Sequence, residues 1–177
     1  MTTRNMTIMI ETHSVELTGR ALRDAFAQFP SGVVAIAAEI DGVAVGMAAS
    51  TFAPVSLEPP LGGVFIANSS STWPKLREAR TLGVSILGST HSLAARKLAG
   101  PAASRFDAVT TSRGHGDALF IDETPLVLEV DIESETPAGD HLLALLRIRS
   151  VQVRDEHSAL LFHRSALTGF TPTVDAP

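Results

Sequence analysis

Two clusters of small hydroxyl-bearing residues bracket one apolar run. The first is Ala48-Ala49-Ser50-Thr51, with Ser56 following beyond a proline bend. The second is Asn68-Ser69-Ser70-Ser71-Thr72, which leads straight into Trp73-Pro74. Neutral hydrogen-bonding groups around an apolar floor, with a helix start alongside, suit a flat ligand that carries a phosphate. Free N–H groups and the dipole at a helix N-terminus attract such an anion. Two accounts of the first cluster stay open. Its small residues either fill a tight barrel strand, or they present hydroxyls to a planar heterocycle that the alanines let approach closely. Ser56 either joins them or caps a turn. In the second cluster four hydroxyl residues precede Trp73-Pro74, more than one N-cap requires. Lys75 and Arg77 are close enough to add positive charge, although such helix residues are commonly solvated.

Other chemistry is poorly represented. Gly114-His115-Gly116 lacks a third glycine and does not open a helix after a strand, so it fails the dinucleotide-binding pattern. A phosphate loop of the Walker type is missing. The six histidines show no metal-ligand spacing. His141 stands apart because Gly139-Asp140-His141 closes a hairpin, where it is either simply exposed or, at a barrel mouth, able to hydrogen-bond a second nucleotide. With no cysteine there is no disulfide, iron–sulfur cluster or thiol nucleophile. The net charge of −5 argues against nucleic acid as a partner. No segment approaches the roughly 20 apolar residues needed to cross a bilayer. The first residues lack the apolar core of a signal peptide, so a cytoplasmic location is expected.

The elements that must position these residues are short. Residues 1–15 read as a loose tail, 16–170 as one domain and 171–177 as a second tail. Thr18 caps an expected helix whose stripe is Leu22, Phe26 and Phe29, stopped at Pro30. Val33 to Ala38 and Val43 to Ala49 form a hairpin around Asp41-Gly42. Pro54 breaks the next run, and Leu61 to Ala67 is a buried strand. A short helix is expected over Pro74 to Arg80, capped by Ser71 or Thr72. Leu82 to Leu87 is a strand, and Ser89-Thr90 caps a helix to about Leu98. Residues 101–117 read as a long binding loop or lid. Leu128, Val130 and Ile132 alternate with Glu129, Asp131 and Glu133, the mark of a half-exposed antiparallel strand. A turn over Thr136 to Asp140 and a return strand from Leu142 to Val153 follow. The inward set changes parity between Ile148 and Val151, which predicts a bulge. Ala159 to His163 is the last expected strand. The sum is a mainly β chain, an antiparallel barrel with short peripheral helices.

The order of these pieces closely resembles the flavin reductase family, over about residues 20 to 165. The resemblance rests on Phe29-Pro30-Ser31-Gly32, Gly46-Met47-Ala48-Ala49-Ser50-Thr51-Phe52 and Val55-Ser56-Leu57-Glu58-Pro59-Pro60. It continues through Asn68-Ser69-Ser70-Ser71-Thr72-Trp73-Pro74, Arg105-Phe106, Gly139-Asp140-His141 and Leu160-Leu161-Phe162-His163-Arg164. It implies a Greek-key split β-barrel that binds FMN, with FAD as the alternative, and oxidises NADH or NADPH. It further implies a homodimer that supplies reduced flavin to a flavin-dependent monooxygenase. By the same resemblance Ala49, Ser50 and Thr51 line the isoalloxazine and ribityl chain, with Ser56 beside them. Asn68, Ser71 and Thr72, next to Trp73, hold ribityl or phosphate oxygens. Arg105 and Phe106 contact the flavin from the long loop, and His141 meets the nicotinamide nucleotide. Two positions depart from the family pattern. Ser104 stands where an acidic or other polar residue usually precedes Arg-Phe, and Leu167 replaces a common aromatic. A related flavoprotein acting on another organic substrate, or a non-enzymatic flavin-binding module, are the competing classes.

Overall fold

A computed structural model describes residues 18–107, 109–154 and 156–170; the two expected tails, 1–15 and 171–177, lie outside the described residues apart from this boundary. In chain order the elements are α1 (Gly19–Phe26), β1 (Ser31–Gly32), β2 (Val34–Ile40), β3 (Val43–Ala49), β4 (Ala53–Leu57), β5 (Pro60–Ala67) and α2 (Trp73–Leu76). Then come β6 (Leu82–Ile86), a 3₁₀ turn over Ser89–His91, α3 (Ser92–Leu98) and a second 3₁₀ turn over Ala102–Ser104. The remainder is β7 (Thr111–Arg113), β8 (Leu119–Ile121), β9 (Leu126–Ala138), β10 (His141–Val153), β11 (Leu160–His163) and β12 (Ala166–Gly169).

Seven strands form one antiparallel sheet in the order β3-β2-β6-β9-β10-β5-β4. Its two edge strands, β3 and β4, are joined by only Ser50-Thr51-Phe52. Laid flat, the two edges would stand about 29 Å apart at the usual strand spacing. Four consecutive Cα–Cα steps reach at most about 15 Å. The sheet must therefore curl until its edges meet, and the chain passes from one edge to the other at this seam. The Thr51 hydroxyl pins the corner, donating to Phe65 O at 2.9 Å and accepting from Phe65 N at 3.2 Å. Among the described residues β3 and β4 do not pair with each other, so the barrel is split there.

The inside of the curl is filled by Val34 and Ile36 of β2, Val64 and Ile66 of β5, Val84 of β6 and Val130 of β9, with Leu146 of β10. Trp73 and Leu76 of α2 plug the same core. A second apolar layer covers the outside of β2, where Val33, Ala35 and Leu87 meet Ala95 and Leu98 of α3 and Leu160 of β11. β2 is thus buried on both faces, which explains its unbroken run of small and branched apolar residues.

Local expectations fare unevenly. Thr18 caps α1, its hydroxyl accepting from Ala21 N at 3.3 Å. Asp41 and Gly42 have φ of 51° and 77°, as a two-residue hairpin of this twist requires. The register shifts between Ile148 and Ser150, where the parity change placed a bulge, and again between Leu145 and Leu146. The turn expected over Thr136 to Asp140 is shorter: β9 and β10 stay paired to Ala138 and His141. Pro137 is tolerated because β6 stops pairing with β9 at Val130, leaving that side of β9 without a ladder partner. The helix expected over Pro74 to Arg80 is one turn, Trp73–Leu76; Thr72 takes the N-cap position as expected, but its side chain makes no cap bond and the Ser70 hydroxyl accepts from Trp73 N at 3.2 Å instead. The cap expected at Ser89-Thr90 is also displaced, because the His91 ring accepts from Gly88 N at 3.2 Å and a 3₁₀ turn precedes the helix. The stripe of α1 is not covered: Phe26 and Phe29 are 70% and 78% exposed. No described helix is long and apolar enough to cross a membrane.

Replacing Thr51 by Val keeps the shape of the side chain but removes both bonds to Phe65. The variant is expected to lose about 0.5–1.5 kcal/mol of stability, read as a lower midpoint in urea denaturation.

Candidate functional site

Three cavities succeed one another along β3. The first, about 440 Å³, opens where Ala48, Ala49 and Ser50 reach the seam. Its floor is Val33 with the two alanines, its opposite wall Ala95 of α3 and Ala99 just past that helix, and its far side Phe162 and Leu167. Ser50, Ser165 and Arg96 are the polar groups around an otherwise apolar slot. Alanines on both walls leave room for a planar ring to approach either backbone.

The second cavity, about 310 Å³, shares Ala48 and Ala99 with the first and adds Met47, Ser69, Ser70, Ser71, Thr72 and Arg105. Here the hydroxyl cluster and a guanidinium meet. Arg105 is held by Nε donating to Gly100 O at 2.8 Å and by Nη1 donating to Gly46 O at 2.8 Å and to Thr72 Oγ1 at 2.5 Å. The long loop is thereby fastened to β3 and to the cluster at one point. Among the described residues no carboxylate lies within ion-pair distance of Arg105. Its charge is thus available to an anion, in a half-buried setting where an attraction is screened less than in open water. Because α2 is a single turn whose Trp73 N–H is taken by Ser70, the cation at the cluster is Arg105 rather than a helix end.

The third cavity, also about 310 Å³, shares Ser71, Thr72 and Arg105 with the second and continues past Gly46 towards Val43. Phe106 lies here. Its ring packs against Gly46 so closely that a Cβ at that glycine would come within 2.7 Å of it. Lys75 lines the same space.

The residues singled out in the sequence therefore divide into two sets. Ala49, Ser50, Ser71, Thr72, Arg105 and Phe106 face the three cavities. Thr51, Ser56, Asn68, Trp73 and His141 do not line them. Thr51 pins the seam. Ser56 sits on the edge strand β4 opposite Leu61. Asn68 donates from Nδ2 to Gly139 O at 3.3 Å, and its own N–H bonds Asp140 O at 3.0 Å. Trp73 is buried, its indole N–H donating to Glu135, which also pairs with Arg77. The tip of the β9–β10 hairpin, with His141, is thereby tied to the hydroxyl cluster through Asn68. His141 Nδ1 lies 2.8 Å from Asp140 Oδ1. The hydrogen bond from His141, with the imidazole's charge behind it, holds the Asp140 carboxyl below its ordinary range.

Several lining residues carry no local signal. Ala95, Arg96 and Ala99 come from the exposed-looking end of a short helix. Phe162, Ser165 and Leu167 come from a β11–β12 hairpin whose turn, Arg164-Ser165, lacks the usual glycine or asparagine despite φ of 49° and 62°. The equal four-residue step from Ala95 to Ala99 places both on one helix face, the one clue available beforehand.

Away from the cavities Glu129 is buried on the outer face of β9. Burial pushes its carboxyl upward, but hydrogen bonds from His115 and Ser150, at 3.1 and 2.9 Å, outweigh that and leave it lowered. No group of three or more His, Cys, Asp or Glu able to hold a metal ion occurs among the described residues.

The model of the flavin reductase like domain matches residues 26–171. A flavin reductase of Pseudomonas putida is 32% identical over 149 residues, covering 84% of this chain and 88% of that protein. The reductase subunit HsaB of a flavin-dependent monooxygenase from Rhodococcus jostii is 29% identical, covering 89% and 82%. Among solved structures, the Streptomyces globisporus NADH:FAD oxidoreductase SgcE6 in complex with NAD and FAD fragments superposes with a TM-score of 0.85 at 28% identity, over 93% of this chain and all of that one.

Arg105→Ala is expected to release the loop from Gly46 and Thr72, costing about 1.5–3 kcal/mol in denaturant unfolding. Arg105→Lys should recover little of it, since an ammonium cannot make the fork of three bonds.

Proposed function

The chain belongs to the flavin reductase like domain family, and from that premise we propose that it is an NAD(P)H:flavin oxidoreductase that reduces FMN or FAD and releases the reduced flavin to a partner monooxygenase. The observation that carries this reading is the succession along β3 of an alanine-walled slot and a hydroxyl cluster closed by an unpaired guanidinium. A tricyclic ring fits the slot, with Ala49 and Ser50 against it. A ribityl phosphate fits the cluster, where Ser71, Thr72 and Arg105 meet it. Phe106 packs its ring on Gly46 and walls the space beyond the cluster.

The chemistry is supplied by the two nucleotides, hydride passing from the nicotinamide to N5 of the flavin. What the chain contributes is position: reacting atoms must be held roughly 3–3.5 Å apart, and water kept from the slot. His141 is placed to hold the nicotinamide nucleotide, oriented by Asp140 on one ring nitrogen so that the other is free to bond outward. Thr51, Asn68 and Trp73 act behind the site, setting the seam, the hairpin tip and the core under the hydroxyl cluster. Ser56 lies across the seam on β4, the other edge of the sheet. Residues 16–170 form the working domain. A homodimer is supported by apolar side chains left uncovered in the single chain, Phe26 and Phe29 at α1 and Val151 and Val153 on β10.

Purified protein should oxidise NADH or NADPH slowly alone and many times faster when free FMN or FAD is added. A yellow protein that keeps its flavin and shows no such stimulation would instead support a flavoprotein acting on another organic substrate. Flavin bound without any turnover would leave a binding module. Replacing His141 by Ala is expected to raise the KM for the nicotinamide nucleotide about 3–10-fold with flavin affinity nearly unchanged. Weaker flavin binding alone would remove His141 from that role.

A further inference from the structure

The third cavity begins where a flavin mononucleotide would end. Along β3 the slot sits at Ala49 and Ala48, the hydroxyl cluster at Met47, and the third cavity at Gly46 to Val43. Six residues of strand measure about 20 Å, so these spaces follow one extended path. β3 is an edge strand, so among the described residues no further strand pairs along its outer side, and Arg105 takes the Gly46 carbonyl.

The charges along the path are spaced rather than gathered. A terminal phosphate carries nearly two negative charges at neutral pH and is best met by several donors at one point. Here Arg105 spends Nε and Nη1 on Gly100, Gly46 and Thr72, and among the described residues only Nη2 makes no hydrogen bond. One remaining donor edge suits a bridging phosphate with a single charge. The next cation, Lys75, lies on the far side of Thr72 and Arg105, within the third cavity. Past it the walls turn apolar, with Val43 and Val45 of β3, Ala103 and the ring of Phe106. An aromatic face and branched aliphatic walls are what a purine base stacks against.

We propose that the third cavity is a subsite for the adenosine-diphosphate half of FAD, so that this protein takes FAD in preference to FMN. Arg105 meets the phosphate next to the ribityl chain, Lys75 meets the second, and adenine lies between Val43, Ala103 and Phe106. The proposal rests on the flavin reductase reading above and names which flavin that site selects. An adenosine diphosphate also forms part of NADH and NADPH. The shared path through Ser71, Thr72 and Arg105 favours the flavin, since a flavin phosphate held by those residues would lead straight into the third cavity.

The test is fluorescence titration of the full chain with FAD and with FMN, together with the KM for NADH, for the native protein, Lys75→Glu and Ala103→Trp. The native protein should bind FAD about tenfold more tightly than FMN. Each variant should lower that ratio about fivefold or more, one by reversing the charge and the other by filling the space. Retained FMN binding reports that a variant is folded. Equal affinity for the two flavins in the native protein would overturn the subsite, as would variants that weaken both flavins in proportion. A preserved ratio with a raised KM for NADH would move the cavity to the nicotinamide nucleotide and overturn it too. A native protein that binds neither flavin would instead remove the reductase reading itself.

Discussion

A three-residue link between the two edges of a seven-stranded sheet constrains everything else in this molecule. Ser50-Thr51-Phe52 is too short to span a flat sheet, so the sheet is bent round until β3 lies beside β4. The curl creates the closed apolar interior, and the lack of pairing at the seam leaves β3 with a free rim. Space exists along that rim because, among the described residues, no further strand pairs there. The Thr51 hydroxyl, bonded to both main-chain groups of Phe65, holds the corner where the first cavity opens.

The second determinant is the outer layer. α3 packs across β2 and β3, with Leu98, Ala95 and Leu160 against Val33 and Ala35. Small residues on both sides keep this layer from collapsing onto the strand, and the slot is the gap that remains. Arg105 then closes the path by bonding to the Gly100 and Gly46 carbonyls and the Thr72 hydroxyl. One side chain therefore fixes the loop and supplies the positive charge. Structural and ligand-facing duties are combined in a group whose five donors allow it.

The hydroxyl cluster also joins parts of the chain that are distant in sequence. Asn68 holds the tip of the β9–β10 hairpin, and Glu135 near that tip binds Trp73 and Arg77. His141 is coupled to the hydroxyl cluster through the bonds from the Asn68 side chain and main chain to the Gly139 and Asp140 carbonyls, without lining the cavities itself.

Much of the architecture was legible in the chain. The Asp41-Gly42 turn, the alternation after Leu126, the bulge near Ile148 and the Thr18 cap are local signals, set by φ preferences, period two and one hydroxyl within reach of one N–H. The two hydroxyl clusters were equally visible as runs of small polar residues, although Thr51, Asn68 and Ser70 turn out to serve the seam, the hairpin tip and the first turn of α2. Other features depend on contacts between distant segments. β12 and the Arg164-Ser165 turn were missed because nothing local favours positive φ there. α2 was read too long, and although Thr72 does stand at its N-cap, the hydroxyl that bonds the first turn is that of Ser70. Residue types and spacing by themselves determined most of the long strands and the Asp41-Gly42 hairpin, since each rests on neighbours in sequence. Only the tertiary structure decided that Thr51 and Trp73 brace the site instead of lining it, and that Arg105 reaches Thr72 across the fold. Those outcomes depend on how far the sheet curls, which is a property of all seven strands together.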